Sequence, residues 1–182
     1  MVDLKNLHPY AASNLAAEYA LFHEANKNSI EGISLRISNG FGVPQDPKNN
    51  CWIFLTNDLC RQAVTKGKLQ LLTSGEQKRD FIPLSAIVEH ISKIMSFTSE
   101  KLPITINIGS EQSISVMEKA LLIQQRCKDL LNELPPIEVG KKRETGNKLQ
   151  DRTLYVDNLN DNQLQLYESI DETIVFCIKY IN

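Results

Sequence analysis

The feature that most constrains this chain is a repeated change of hydrophobic period, from the three-and-four spacing of a helix to the two-residue spacing of a strand and back. Residues 10–26, YAASNLAAEYALFHEAN, are rich in Ala and Leu, free of Gly and Pro, and followed by the polar KNS, which predicts a helix. In the next segment, GISLRIS, Ile33, Leu35 and Ile37 alternate with Ser34 and Arg36, the period of a strand. The stretch NGFGVPQDPKNN then has two prolines and two glycines, and reads as a loop suited to the rim of a site. A helix is expected over residues 52–66, with Phe54, Leu55, Leu59 and Ala63 on one stripe and Gly67 as its C-terminal stop. Short strands should follow at 69–72 and 81–84, then a helix capped by Ser85 that buries Ile87, Ile91, Ile94 and Met95.

The segment ITINIGS, residues 104–110, alternates again and reads as a strand. Helices are expected over 113–131, burying Ile114, Met117 and Leu121 with positions 127, 130 and 131, and over 169–181, burying Ile170, Ile174, Cys177, Ile178 and Ile181. Between them lie PPIEVG, the polar KKRETGNK and the strand-like RTLYVDN. Strands alternating with helices indicate an α/β architecture, and no internal repeat is visible.

With 182 residues the chain is one ordinary domain or part of a larger one, and is treated as one unit. Twenty Lys and Arg against 22 Asp and Glu leave a charge of -2, which gives no electrostatic reason to expect nucleic acid or a membrane surface as partner. Hydrophobic residues at 42% and charged residues at 23% fit a packed core. No apolar run approaches the roughly 18 residues of a membrane span, and MVDLKNLHPY lacks the pattern of a secretory signal, so a cytoplasmic location is expected. Cys51, Cys60, Cys127 and Cys177 form no CxxC pair, and His8, His23 and His90 show no metal-ligand spacing, so no metal is expected and the cysteines read as reduced packing residues. Gly40 and Gly42 make the only GxG pair, with Gln45 where a dinucleotide fingerprint needs its third glycine, which leaves no phosphate-cradling loop in the chain.

Taken in order, YAASNLAAE, LRISNGFG, KRDFIPL, INIGS before a long helix, and RTLYVDN before a terminal helix resemble the second half of an extended short-chain dehydrogenase/reductase. The group is that of the NAD-dependent epimerases and dehydratases acting on nucleotide-sugars, and the resemblance runs from about His8 to the end. It implies the C-terminal portion of a Rossmann-like fold: residues 1–38 as the last Rossmann helix and strand, and about 39–182 as mostly the small substrate lobe with returning strands and helices. In this family a Tyr-x-x-x-Lys helix supplies an acid/base beside the nicotinamide of NAD or NADP. Tyr10 stands at the catalytic tyrosine, Ser13 at the frequent serine, and Asn14 at the lysine, on the same helical face as Tyr10.

The Asn14 departure has a size. A cation about 4 Å from a phenolate, at an effective dielectric near 20, contributes roughly 4 kcal/mol or about three pKa units. Asn14 can hydrogen-bond a cofactor ribose but brings no charge, so weak activity is expected. The family's glycine-rich fingerprint precedes its tyrosine, whereas Tyr10 has only nine residues before it. The resemblance therefore implies a truncated enzyme, inactive alone and binding no NAD in isolation, or one completed by a separate N-terminal half. The alternative is a non-catalytic remnant that binds a nucleotide-sugar or a partner, and self-association is a further option because Leu15, Tyr19, Phe22, Ile33, Leu35 and Ile37 would lack partners.

For the substrate, the resemblance assigns Asn39, Arg79 and Arg152 to the diphosphate and makes Asn107 structural. An amide offers donors without a buried charge, and a guanidinium fork suits phosphate oxygens. Asn39 also reads as a turn residue before Gly40, and Arg79 as part of a solvated Lys78-Arg79 pair next to Asp80. Pro83, Leu84, Ser85 and Ala86 replace the family's valine and acidic pair, Glu111 replaces a glycine, and Pro83 suggests a strand end. Residues 141–143 read as a solvated loop, and His23 and His90 receive no role.

Overall fold

The computed structural model describes residues 8–27, 30–96, 105–141 and 163–181. The elements run α1 (Pro9–Asn26), β1 (Ser34–Ile37), β2 (Asn39–Phe41), α2 (Leu55–Lys66), β3 (Leu69–Leu71), β4 (Lys78–Pro83), α3 (Leu84–Ser96), β5 (Thr105–Ile108), β6 (Ser113–Ser115), α4 (Val116–Leu131), β7 (Ile137–Val139) and α5 (Gln163–Tyr180). The alternation expected from the sequence is present. The strand-like RTLYVDN and Arg152 lie outside the described residues.

Among the described residues the strands form three small ladders. β1 pairs parallel with β5, β4 pairs parallel with β2 and antiparallel with β6, and β3 pairs parallel with β7. Residues 34–41 are nearly one extended run that changes neighbours at Ser38: Leu35 lies opposite Ile106, whereas Asn39 lies opposite Phe81. At the change the Ser38 amide still donates to the Ile108 carbonyl at 2.9 Å.

β4 is buried on both faces at its C-terminal end, as a strand between two layers must be. Phe81 enters a core built with Leu59 and Cys60 of α2, Ala120 and Ile123 of α4, and Ile170 and Ile174 of α5. Ile82 points the other way, into a second cluster with Ala86, Ile87 and Ile94 of α3 and Ile108 of β5. Each fully buried aliphatic side chain contributes about 1.5–3 kcal/mol. All four cysteines are free, and Cys60, Cys127 and Cys177 are buried packing residues.

Several boundaries differ from the sequence reading, for identifiable reasons. The stretch expected as loop from Asn39 contains β2, because Asn39–Phe41 finds a parallel partner in β4. The helix expected at 52 starts at Leu55, after the Phe54 amide bonds the Cys51 carbonyl. Ser85 does not cap α3, since β4 runs directly into the helix at Leu84 and Pro83 ends the strand. Residues 113–115 are β6, and Ser115 caps α4 in a reciprocal capping box with Glu118. In α4 Val116, Lys119, Ala120, Ile123 and Cys127 are buried, while Leu121 and Leu130, assigned to the core from the sequence, are exposed, as are Met95 of α3 and Ile178 of α5. The last helix begins at Gln163, six positions before the apolar stripe that signalled it.

The buried face of α4 includes a lysine. Lys119 is 0% exposed, with Nζ 3.9 Å from the Phe41 ring centroid and 5.1 Å from that of Phe81. Nζ has no hydrogen-bond partner. Burial, opposed only weakly by the field of Cys60, pushes its pKa from 10.5 down to about 7.

Two predictions follow from this packing. The unfolded chain keeps the Lys119 proton up to its ordinary pKa and the folded chain releases it near 7, so stability should rise with pH between about 7 and about 10. At about 1.4 kcal/mol per unit of separation the gain is on the order of several kcal/mol. Lys119→Met should raise the thermal midpoint below pH 7 and remove most of that slope, as read by circular-dichroism melts across pH; an unaltered slope would contradict the assignment. Second, Ser115→Ala breaks the capping box and should cost about 1 kcal/mol in urea unfolding, with an unchanged m value.

Candidate functional site

The change of neighbours at Ser38 is pinned by Asp80. This carboxylate is 1% exposed, and its Oδ1 accepts from Ser38 Oγ at 3.0 Å and from both the amide and the Oγ of Ser110 at 2.9 Å. One buried side chain thus joins the end of β1, the middle of β4 and the turn after β5. Gly109 is required beside it, because a Cβ there would lie 2.8 Å from Asp80 Oδ2. Asn39, next along the chain, donates from Nδ2 to the Asp80 carbonyl at 2.8 Å.

These ties place a cavity of about 220 Å³ between β2, β4 and the start of α2. Ser38, Asn39 and Gly40 line one side, Arg79 and Phe81 another, and residues 53–56 the third. The first turn of α2 has no side-chain cap at Phe54, so the positive end of the helix contributes to this wall. Thr56 is 1% exposed and its Oγ1 has no hydrogen-bond partner. Asn57 fixes the helix start to the loop after β2: its Nδ2 donates to the Gly42 carbonyl at 2.8 Å and its Oδ1 accepts from the Gly42 amide at 3.3 Å. The Arg79 fork is braced by Gln77, whose Oε1 accepts from Nη2 at 2.8 Å and from Nε at 3.3 Å. The wall therefore combines a guanidinium, a carboxamide, a hydroxyl and a helix N-terminus, a set suited to phosphate oxygens. Ile53 and Phe54 add exposed apolar surface.

Of the residues singled out from the sequence, Asn39 and Arg79 line this one cavity. Asn39 opens β2 rather than ending a strand or making a turn, and Arg79 is half-buried, with Asp80 beside it in the interior. Tyr10 does not line the cavity; it sits in the first turn of α1, 75% exposed. Its carbonyl accepts from Ser13 Oγ at 2.9 Å and from Asn14 Nδ2 at 2.8 Å, so the amide at the lysine position is turned onto its own helix. Asn107 lies in β5 opposite Arg36, with a buried Oδ1 that has no partner. Sequence reasoning missed Thr56 and Asn57. Two adjacent polar residues on the helix stripe that carries Leu59 and Cys60 were the available signal.

The described residues do not fit a dinucleotide cradle. Gly40 and Gly42 flank Phe41 of β2, against Leu84 and Ile87 of α3, instead of leading into a helix N-terminus. No group of three or more His, Cys, Asp or Glu among the described residues could hold a metal ion. No helix among them is long and apolar enough to cross a membrane.

The comparisons with known proteins agree with this architecture. No curated relative matches the chain by sequence. Among solved structures, the UDP-N-acetylglucosamine 4-epimerase of Methanobrevibacter ruminantium M1, in complex with UDP-N-acetylmuramic acid, is 20% identical with a TM-score of 0.70, over 98% of this chain and 57% of that one. The UDP-glucose 4-epimerase of Thermotoga maritima, with UDP-glucose, is 17% identical with a TM-score of 0.69, over 97% of this chain and 55% of that one. The RMD protein of Pseudomonas aeruginosa, complexed with NADPH, is 15% identical with a TM-score of 0.70, over 98% of this chain and 60% of that one. The chain thus has the fold of part of these Rossmann-like proteins and spans a little over half the length of each. The model of the NAD dependent epimerase/dehydratase family matches residues 2–109, more than half of the sequence, and the chain belongs to that family.

Proposed function

We propose that this chain is the nucleotide-sugar-holding part of an NAD-dependent epimerase or dehydratase, and that its cavity takes the diphosphate of the substrate. The observation that carries the reading is the convergence of Arg79, Asn39 and the uncapped start of α2 on one cavity. A dianionic diphosphate there gains charge-assisted hydrogen bonds from the guanidinium and a favourable helix dipole, while the amide adds a donor with no charge to desolvate. Residues 1–38 are read as the last Rossmann helix and strand and about 39–182 as the substrate lobe, with Arg152 a second phosphate contact. Tyr10 is the acid/base of this reading, and a cytoplasmic location suits the substrate.

NAD or NADP belongs to the same proposal as the family's redox partner. The described residues hold no pyrophosphate cradle, so in this reading the dinucleotide is held outside them, and no chemical step is assigned to this chain alone. Asn14 supports the second reading, a binding protein without redox chemistry: its amide is bound to the Tyr10 carbonyl, and it offers no cation to a phenolate.

Titration calorimetry with UDP-glucose tests the cavity. Arg79→Ala should weaken binding about 10- to 100-fold, the range for loss of hydrogen bonds to a charged group. Equal affinity of the two proteins would remove the diphosphate from this cavity. NAD titrated alone should give no dissociation constant below about 10 μM. Tighter one-to-one binding would place a dinucleotide site in this chain and overturn that part of the reading.

A further inference from the structure

Lys119 has no role in the site as described, yet its position is unusual enough to require one. The amine is buried, without a hydrogen-bond partner, and stacked on Phe41 and Phe81. Phe81 is also a wall of the cavity, so Lys119 and a ligand in that cavity share one aromatic side chain. A cation is attracted to a ring face, but two rings do not replace a hydrogen-bonded anion in a dry interior.

The groups around the amine offer no such anion. From α2 comes Cys60, whose thiol burial holds protonated at ordinary pH. From α4 and α5 come Cys127 and Cys177, pushed up to about 11 and about 12 by burial. Asp171 of α5 is gripped by Arg126, with contacts of 2.6 and 2.7 Å, and Glu118 of α4 is tied to Ser115. On β4, Asp80 serves Ser38 and Ser110, and the other charges are the cations Lys78 and Arg79. β2 and β3 contribute no titratable side chain. The protein has placed a basic amine where its own residues do not neutralise it, close to a cavity whose wall is built of donors.

We propose that Lys119 is a proton-linked counter-charge for this cavity: the buried, partnerless amine against Phe81 takes up a proton when a dianionic diphosphate ester binds in the cavity that Phe81 also lines. The inference rests on the diphosphate reading given above. Two negative charges near a buried amine raise its affinity for its proton. With an amine that releases its proton near pH 7 in the free protein, uptake is largest just above neutrality. Ligand affinity then falls as pH rises through that region, because the bound state holds the extra proton. Lys119 in this view is a positioning residue that sets the charge of the site from behind; it does not touch the ligand.

The probe is UDP-glucose, whose phosphates are both esterified and so do not themselves titrate near neutrality. Calorimetry of the whole chain at pH 8, in buffers of different ionisation enthalpy, should show uptake of about half a proton to one proton per ligand bound. Affinity should fall by up to about tenfold per pH unit above pH 7. In Lys119→Met, which keeps the volume and removes the charge, UDP-glucose should still bind, with no buffer dependence and a flat pH profile. Binding by the natural chain without proton uptake would overturn this inference and leave the diphosphate reading intact. Uptake that persists in Lys119→Met would assign the proton elsewhere and overturn it as well. No binding of UDP-glucose by the natural chain would overturn both.

Discussion

The buried carboxylate of Asp80 is the contact on which the rest of the arrangement depends. A strand that changes neighbours must leave one sheet without stranding its polar groups, and here Ser38 marks the change, with its hydroxyl on Asp80 and its amide on Ile108. Ser110 completes the junction through the same oxygen. A carboxyl oxygen suits this place because it accepts all three hydrogen bonds, while the second oxygen, Oδ2, is buried without a partner. The strand residues that line the cavity are measured from this junction: Asn39 is one residue past the change, Arg79 is one residue before the carboxylate, and Phe81 is one residue after it. The alternation of a strand then sends Arg79 and Phe81 to the same face and Asp80 to the other.

The second fixed point is the start of α2, and it is held by a side chain rather than by a cap. Asn57 bonds both backbone groups of Gly42, so the loop after β2 and the helix cannot move independently. This frees the first turn from the usual Ser, Thr or Asp cap, whose oxygen would occupy the donors that face the cavity. The first turn thus keeps its N–H groups free of a side-chain cap at Phe54, and anchoring falls to Asn57. The core beneath follows the same division: α2, α4 and α5 supply aliphatic packing, while the aromatic rings of Phe41 and Phe81, within the same cluster, face the amine of Lys119.

Much of the fold was legible in the sequence because the period of apolar residues changes so plainly. The helix at 10–26 and the strand at 33–37 agree with α1 and β1 to within a residue. What escaped were three-residue strands, β2, β6 and β7, which are too short for any alternation to show and exist because a partner strand lies alongside. The misplacement of α4 has the same origin: taking Ser113 into the helix hid the capping box that starts it at Val116, and the apolar face was drawn about Leu121 instead of Ala120. Lys119 could not be found from pattern at all, since a lysine on a helix is almost always solvated. At the site, Asn39 and Arg79 were reached through family resemblance. Thr56 and Asn57 were not, because in a helical stripe they look like interruptions of the core.

The two candidate functional regions are held by different kinds of force. α1, which carries Tyr10, buries none of its residues. Its ties to β1 are Glu18, which takes both the Arg36 guanidinium, at 2.7 and 2.8 Å, and the Ser34 hydroxyl, at 2.7 Å, and the contact of Leu21 with Gly32. The Arg36 and Ser34 hydrogen bonds hold the Glu18 carboxyl down at about 2, but Arg36 is more than half exposed, and ion pairs of that kind contribute no more than about 1 kcal/mol. The cavity, by contrast, is framed by Asp80, Asn57 and Phe81, all of them buried. The cavity is therefore located by the interior of this chain, whereas Tyr10 and Tyr19 on α1 present exposed faces that no described residue covers.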